Sequence, residues 1–276
     1  MNEKNAKQNN MKAKGEREFL DKVSKTYVAG NSSQDNLIRE LVVRTIKPFI
    51  KRGRALELGC SDGYMTQLLA QHVDQIDVVD GSKVFLKKGG RRGIKNANFI
   101  DSLFESFEPV EKYDYIFATY ILEHVMDVDI VLNMIRRALK KKGLLYVVVP
   151  NANAMSRQLA FHMGLLPDLH SLTPNDLNHG HRRVYDRVLL DKELRKAGFA
   201  ITSSGGIFLK PFADFQMDKL LDSGMIDSPQ IEGLYRLGSQ YPDLCGSLYS
   251  ICTLNDVNHD ALSRDKEQRA EYGSKR

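Results

Sequence analysis

The fifteen residues from Ala55 to Leu69, ALELGCSDGYMTQLL, carry the densest chemistry in the chain. A short apolar run holding one acid, Glu57, stops at Gly59; Gly63 follows, and a helical pattern begins. A glycine-bounded turn lets a ligand come close to the backbone, where a side chain would stand in the way. Two further acids close apolar runs downstream: Asp80 ends QIDVVD and Asp101 ends ANFID. Three histidines complete the set, His124 in LEHV and His179 and His181 in NHGHRRVYD. Imidazole is the side chain suited to taking a proton near neutral pH.

The elements that must hold these groups alternate in period. NLIRELVVRTIKPFI, from Asn36 to Ile50, has apolar residues at helical spacing behind the capping candidates Ser33 and Asp35. RALEL is expected to be a buried strand, YMTQLLAQHV a helix, QIDVVD a strand, KVFLKKGGRR a helix and ANFID a strand. YDYIFATY is a fourth strand, VDIVLNMIRRALKKKG a helix, and LLYVVVP, from Leu144 to Pro150, a continuously apolar and so central fifth strand. A loop-rich segment follows over 151–185, then the helix DRVLLDKELRKAG, the stretch FAITSSGGIFLKPF, a helical insertion, and a last strand, CGSLYSICTL. Strands alternating with helices imply a parallel sheet covered on both faces.

Composition bounds the class. Of 276 residues, 42% are hydrophobic and 27% charged, which suits one soluble globular domain with decorations. The net charge of +5 is mild, and the clusters Lys87, Lys88, Arg91, Arg92, Lys95 and Arg136, Arg137, Lys140, Lys141, Lys142 lack interleaved aromatics. Solvated helix faces explain them better than nucleic-acid binding. Cys60, Cys245 and Cys252 have no metal-ligand spacing, so no metal and no disulfide framework is expected. No apolar run is long enough to span a bilayer, and a cytoplasmic protein without membrane contact is expected. Residues 1–16 and 256–276, rich in charged and amide side chains, are expected to be disordered, leaving one domain over 17–255. Within it, 17–50 forms a helical cap, 151–185 a substrate loop region, and 213–243 an insertion between the last two strands.

The turn itself narrows the ligand. A nicotinamide-type GxGxxG would need glycine at Ser61 and Tyr64, and a P-loop would need Gly-Lys-Ser/Thr, which is absent. The stretch resembles motif I of class I S-adenosylmethionine-dependent methyltransferases, (E/D)xGxGxG, with Glu57, Gly59 and Gly63 matching and Ser61 departing at the middle glycine. That departure is harmless if Ser61 takes a negative φ. The resemblance continues in order, through Asp80 at 23 residues after Glu57, Asp101 with Ser102 and Leu103, and ATYILEHV, which is similar to the LEHV segment of ubiquinone-biosynthesis O-methyltransferases.

The resemblance implies a Rossmann-like, doubly wound α/β fold with seven strands in the order 3-2-1-4-5-7-6, strand 7 antiparallel. It implies S-adenosylmethionine as cofactor, with Asp80 on the ribose hydroxyls and Asp101, Ser102 and Leu103 at the adenine. Cys60, Ser61, Gly81, Thr119 and Tyr120 join Glu57, Gly59 and Gly63 in the expected cofactor set. A hydroxyl acceptor needs a base, for which His124, His179 and His181 are the candidates. Asn151, Asn153, Arg157 and Arg183 are expected to meet the small-molecule acceptor, with Tyr27 grouped with them as a cap over the cofactor, and Arg182 with Arg183 would suit an anionic or polyhydroxylated acceptor. The expected activity is methyl transfer to a hydroxyl of a sugar, phosphorylated compound or secondary metabolite. Transfer to a small amine, a non-catalytic scaffold and an NAD-dependent enzyme are the alternatives. A base-flipping nucleic-acid enzyme would carry (N/D)PP(Y/F) where this chain has Ala118-Thr119-Tyr120-Ile121. The oligomeric state is left open.

Overall fold

The strand β1 (Arg54–Leu58) is buried from Ala55 onward, Glu57 included, because both of its faces are covered. Its neighbours are β2 (Gln75–Asp80), β3 (Ala97–Asp101), β4 (Tyr113–Thr119), β5 (Leu139–Pro150), β6 (Phe199–Ile207) and β7 (Ser247–Leu254). The computed structural model describes residues 3–26 and 32–255. The sheet runs β3-β2-β1-β4-β5-β7-β6, with the first five strands parallel and β7 antiparallel to both β5 and β6. This is the expected seven-stranded order.

Alternation along β1 divides the core in two. Leu56 and Leu58 face one cluster, built with α5 (Val128–Ala138) and α8 (Arg187–Lys196). Ala55 faces the other, built with α2 (Ser33–Ile46), α3 (Tyr64–Ala70) and α4 (Lys83–Gly90). The helix α5 shows why these segments fold as they do. Its buried residues Val128, Val131, Leu132, Met134, Ile135 and Ala138 recur every three or four positions, and the Asp127 side chain caps its start by accepting from the Ile130 N–H at 3.0 Å.

Several boundaries depart from expectation for identifiable reasons. The helix expected to run through Lys140–Lys142 stops at Ala138, because Leu139 pairs with Tyr113 and begins β5; Lys140 then bonds Asp114 at 2.9 Å. The N-cap of α2 is Ser32, whose hydroxyl accepts from the Asp35 N–H at 3.0 Å, not Ser33 or Asp35. The same hydroxyl donates to Asp218 at 2.9 Å, and Ser33 donates to Asp222 at 2.6 Å, which docks α9 (Asp214–Asp222) of the insertion on α2. The insertion continues as α10 (Ser228–Gln240). The loop region after β5 contains α6 (Met155–His162) and α7 (Pro174–Asn178).

Residues 3–16, expected without structure, are the first part of a helix, α1 (Glu3–Thr26). Its lower half is held by tertiary contacts: Glu16, Val23 and Ser24 are buried, and Arg17 bonds Asp101 at 2.5 Å and the Gly81 carbonyl at 3.1 Å. Tyr27 and the tail 256–276 lie outside the described residues. Among the described residues no helix is long and apolar enough to cross a membrane. All three cysteines are buried and free.

Candidate functional site

The carboxyl ends of β1, β2 and β4 open on one side of the sheet, and the turn after β1 forms the floor of what lies there. Gly59 has φ +76°, and a Cβ on it would stand 2.4 Å from the Ile121 Cδ1. The turn is pinned by Asp80, whose carboxylate accepts from the Cys60 N–H at 3.0 Å and the Ser82 N–H at 2.8 Å. Each oxygen keeps lone-pair capacity toward the open side. Burial pushes the Asp80 carboxyl upward, and these N–H groups oppose it.

Ser61 corrects the sequence expectation: its φ is +49°, in the left-handed region, not negative. A serine there carries the strain that glycine avoids, and its buried hydroxyl has no hydrogen-bond partner. Ser61→Gly is therefore expected to stabilise the ligand-free protein by about 0.5–1 kcal/mol, measured as a rise in urea midpoint. Beneath the turn, the fully buried Glu57 carboxylate makes no well-formed hydrogen bond; Thr66 stands beside it outside good geometry.

An open-mouthed cavity rises above this floor. Gly59, Cys60, Ser61, Asp80, Gly81, Thr119 and Tyr120 line it, and Leu103 lines a smaller adjoining hollow. Glu57 and Gly63 shape the turn from behind. Asp101 and Ser102 do not reach the cavity: Asp101 is taken by Arg17, and the Ser102 hydroxyl turns to the Leu103 carbonyl. Phe19, Leu20 and Val23 of α1 form the roof.

Arg39 is a cavity residue that the sequence reading missed. It is buried and pairs with Asp62 at 3.1 Å. The signal was available, since Arg39 falls at helical spacing with the buried residues Val42, Val43 and Ile46 and so had to bring a charge inside.

The three histidines do come together, although 55 residues separate His124 from His179. The rings of His124 and His181 meet edge-on at 4.7 Å between centroids, and His179 lies 6.2 Å from His181. His124 and His179 line the cavity; His181 stands behind them. Burial pushes His124 down to about 3, so its ring is neutral, with one N–H directed at the Gly180 carbonyl. The Asp176 carboxylate accepts from His181 Nδ1 at 3.1 Å and also takes bonds from Thr173 and Arg157, which hold it well below the usual carboxylate range. An ionised carboxylate only accepts, so Nδ1 of His181 carries a proton.

The expected acceptor-binding arginines are spent on the fold. Arg183 donates to the carbonyls of Leu122 and Val125, both at 2.6 Å. Arg182 donates to the His124 carbonyl at 2.7 Å, pairs with Glu16 at 2.8 Å, and lies 4.5 Å from the centre of the Phe19 ring. Arg157 ties the Leu169 and Ser171 carbonyls to Asp176. Asn151 is buried and donates to the Asp243 and Cys245 carbonyls, while Asn153 gives its N–H to Asn151. None of Asn151, Asn153, Arg157 or Arg183 lines the cavity. Loops over a sheet need their carbonyls satisfied, and long arginines reach them best.

A family model described as a methyltransferase domain matches residues 31–204. The ubiquinone biosynthesis O-methyltransferase of Bradyrhizobium diazoefficiens is 29% identical over 174 residues, 58% of this chain and 64% of that protein. The protein of the same name from Pelagibacter ubique is 25% identical over 126 residues, 45% of this chain and 52% of its own length. The chain thus spans less than two thirds of the length of these two relatives. In fold it is similar to a DhpI–SAH complex, with a TM-score of 0.57, 16% identity, and coverage of 88% and 97% of the two chains. It is also similar to the [4+2]-cyclase SpnF, with a TM-score of 0.54, 19% identity and 80% of both chains covered. At such identities the likeness is of fold alone, and a cyclase among the neighbours shows that this fold hosts more than one chemistry.

Proposed function

The chain belongs to the methyltransferase domain family, and from that membership we propose that it moves a methyl group from S-adenosylmethionine to a hydroxyl of a neutral small molecule. Membership of the family supports methyl transfer, and likeness of fold to an S-adenosylhomocysteine complex agrees with S-adenosylmethionine as the donor. The residues fit this cofactor: the orphaned Ser61 hydroxyl, the backbone approach at Gly59 and the spare lone pairs of Asp80 are what a nucleoside and an amino acid would use. Asp80 would take the ribose hydroxyls and Arg39 the methionine carboxylate, as a buried cation suits. When bound, the cofactor supplies an activated methyl on a sulfonium.

The remaining work falls to the chain: aligning the acceptor, excluding water and removing one proton. The roof of Phe19, Leu20 and Val23 serves the first two. The observation that carries the hydroxyl reading is His124, a neutral imidazole on the cavity wall with one nitrogen free to accept. An amine that arrives uncharged has a lone pair ready for attack and needs less help from such a group. The commitment of Arg157, Arg182 and Arg183 to carbonyls and carboxylates argues against a phosphorylated acceptor. The names of the relatives, O-methyltransferases, point the same way.

Labelled S-adenosylmethionine offered with catechol, glucose or ethanolamine tests this, with products read by mass spectrometry. Label on oxygen is expected, and label on ethanolamine nitrogen alone would overturn the reading. His124→Asn should lower turnover by about 10²–10⁴-fold, the usual worth of a general base, with S-adenosylhomocysteine affinity retained. Full turnover would release His124 from the role.

A further inference from the structure

The proton that leaves the acceptor needs a destination, and His124 is a poor one. Desolvation disfavours its charged form, and the neighbouring His181 and His179 rings add to the penalty. Next to it in sequence sits Glu123, 1% exposed, with neither carboxylate oxygen hydrogen-bonded to another residue. An orphaned buried carboxylate is costly and calls for an explanation. A Glu123 oxygen and one ring nitrogen each of His124 and His181 all lie within 4.8 Å of one another. That is a separation one water or one small side-chain rotation spans.

We propose that Glu123 is the proton-holding residue behind His124, receiving through that imidazole the proton released by the acceptor hydroxyl. The inference rests on the hydroxyl reading above. In the step, the acceptor O–H bond breaks and its electron pair forms the new bond from oxygen to the methyl carbon. The methyl carbon's former bonding pair stays on sulfur. The proton passes to the unprotonated nitrogen of His124; the opposite N–H, turned off the Gly180 carbonyl by a small ring rotation, gives its proton to Glu123, which becomes a neutral carboxylic acid and returns the proton to water after product release. Glu123 does not line the cavity, so it acts through His124 and is a positioning residue.

The surroundings suit a group that must hold and lose a proton. The titratable and charged groups facing Glu123 are His124 on its own segment, His181, Arg183 and Tyr185 after α7, Asp176 on α7, and Tyr120 at the end of β4. Burial pushes Glu123 up to about 7, with His181 and Arg183 opposing and Asp176 reinforcing the rise. A carboxylate in that range accepts a proton in the cycle and gives it back near neutrality.

The test is the pH dependence of catechol methylation by wild type, Glu123→Gln and Glu123→Asp, all saturated with S-adenosylmethionine. Wild-type kcat should rise as pH climbs through about 7, since the sink works only when ionised. Glu123→Gln should lose about tenfold or more in kcat and lose that rise, and Glu123→Asp should restore part of both. S-adenosylhomocysteine affinity should stay within about twofold in all three. A retained rise in Glu123→Gln, or affinity falling in step with kcat, would overturn the proposal. So would activity abolished by a chelator and restored by magnesium. A second measurement needs no acceptor: infrared pH-difference spectra of the S-adenosylhomocysteine complex should show a carboxylic acid band titrating near neutrality and missing in Glu123→Gln. Its absence in wild type would also overturn the sink. Wild-type transfer to oxygen tests the hydroxyl reading, and the variant comparison on that same acceptor tests Glu123, so the two can fail separately.

Discussion

Gly63→Ala should abolish cofactor binding and destabilise the fold by about 3 kcal/mol or more, among the largest effects of any single methyl in this chain. Gly63 caps the start of α3 with φ +78°. An L-residue there costs about 1–2 kcal/mol from its own Cβ and carbonyl. The greater cost is steric: the new Cβ would stand 2.6 Å from the Gly89 Cα and 3.3 Å from the Gly89 carbonyl oxygen. These are backbone atoms of α4, so relief requires moving a helix and not rotating a side chain. Because Gly63 closes the turn through its N–H to the Cys60 carbonyl at 2.7 Å, the displacement reaches the cofactor floor directly. Gly93→Ala is the matched control, with φ +63° and nothing within 4 Å of a Cβ. It should cost only the conformational 1–2 kcal/mol or so. Urea unfolding gives both numbers, and equal losses would show that packing against α4 is not the cause.

The second large effect concerns Glu57 and has a definite sign. Burial pushes its carboxyl up to about 8, with the charges of Asp80 and Asp62 adding and Thr66 and Arg39 opposing. The folded group therefore binds its proton more tightly than the unfolded one. Its contribution is fully present below the unfolded value near 4.5 and is lost as pH rises through about 8. At roughly 1.4 kcal/mol per pKa unit, the excursion is worth a few kcal/mol. The ligand-free protein should thus lose stability between mildly acidic and mildly alkaline pH. Glu57→Gln, which keeps the shape and drops the ionisation, should flatten much of that fall. A residual slope of the same sign is expected from Glu123, raised for the same reason. An unaltered pH dependence of the urea midpoint in Glu57→Gln would show that Glu57 is ionised in the fold.

The legibility of the sequence was uneven in an instructive way. β1, β2 and β3 have the expected boundaries, the first two because a strand buried on both faces writes itself as an apolar run between breakers. The cavity floor could also be traced, since Gly59, Asp80 and Thr119 sit at or beside the ends of neighbouring strands. Side-chain direction was not legible. Arg183 and Arg157 were expected to meet the acceptor, yet turn inward to carbonyls left bare by the loops over β4 and β5. Glu123 passed unnoticed beside His124, because only the tertiary fold leaves its carboxylate without a hydrogen bond to another residue. Ser61 shows the limit of arguing from composition: its left-handed backbone is imposed by the turn and tolerated, not avoided.

The helix α1 has a consequence for inheritance. Its cavity-roofing residues, Phe19, Leu20 and Val23, precede residue 31, where the family match begins, whereas the turn, Asp80 and His124 all lie inside it. The family match thus covers the floor and the His124 wall of the chamber and stops short of its roof, part of which, Leu20, stands against Gly81. Proteins that share this domain need not share the roof, so likeness over the matched residues does not extend to the surface that closes the chamber.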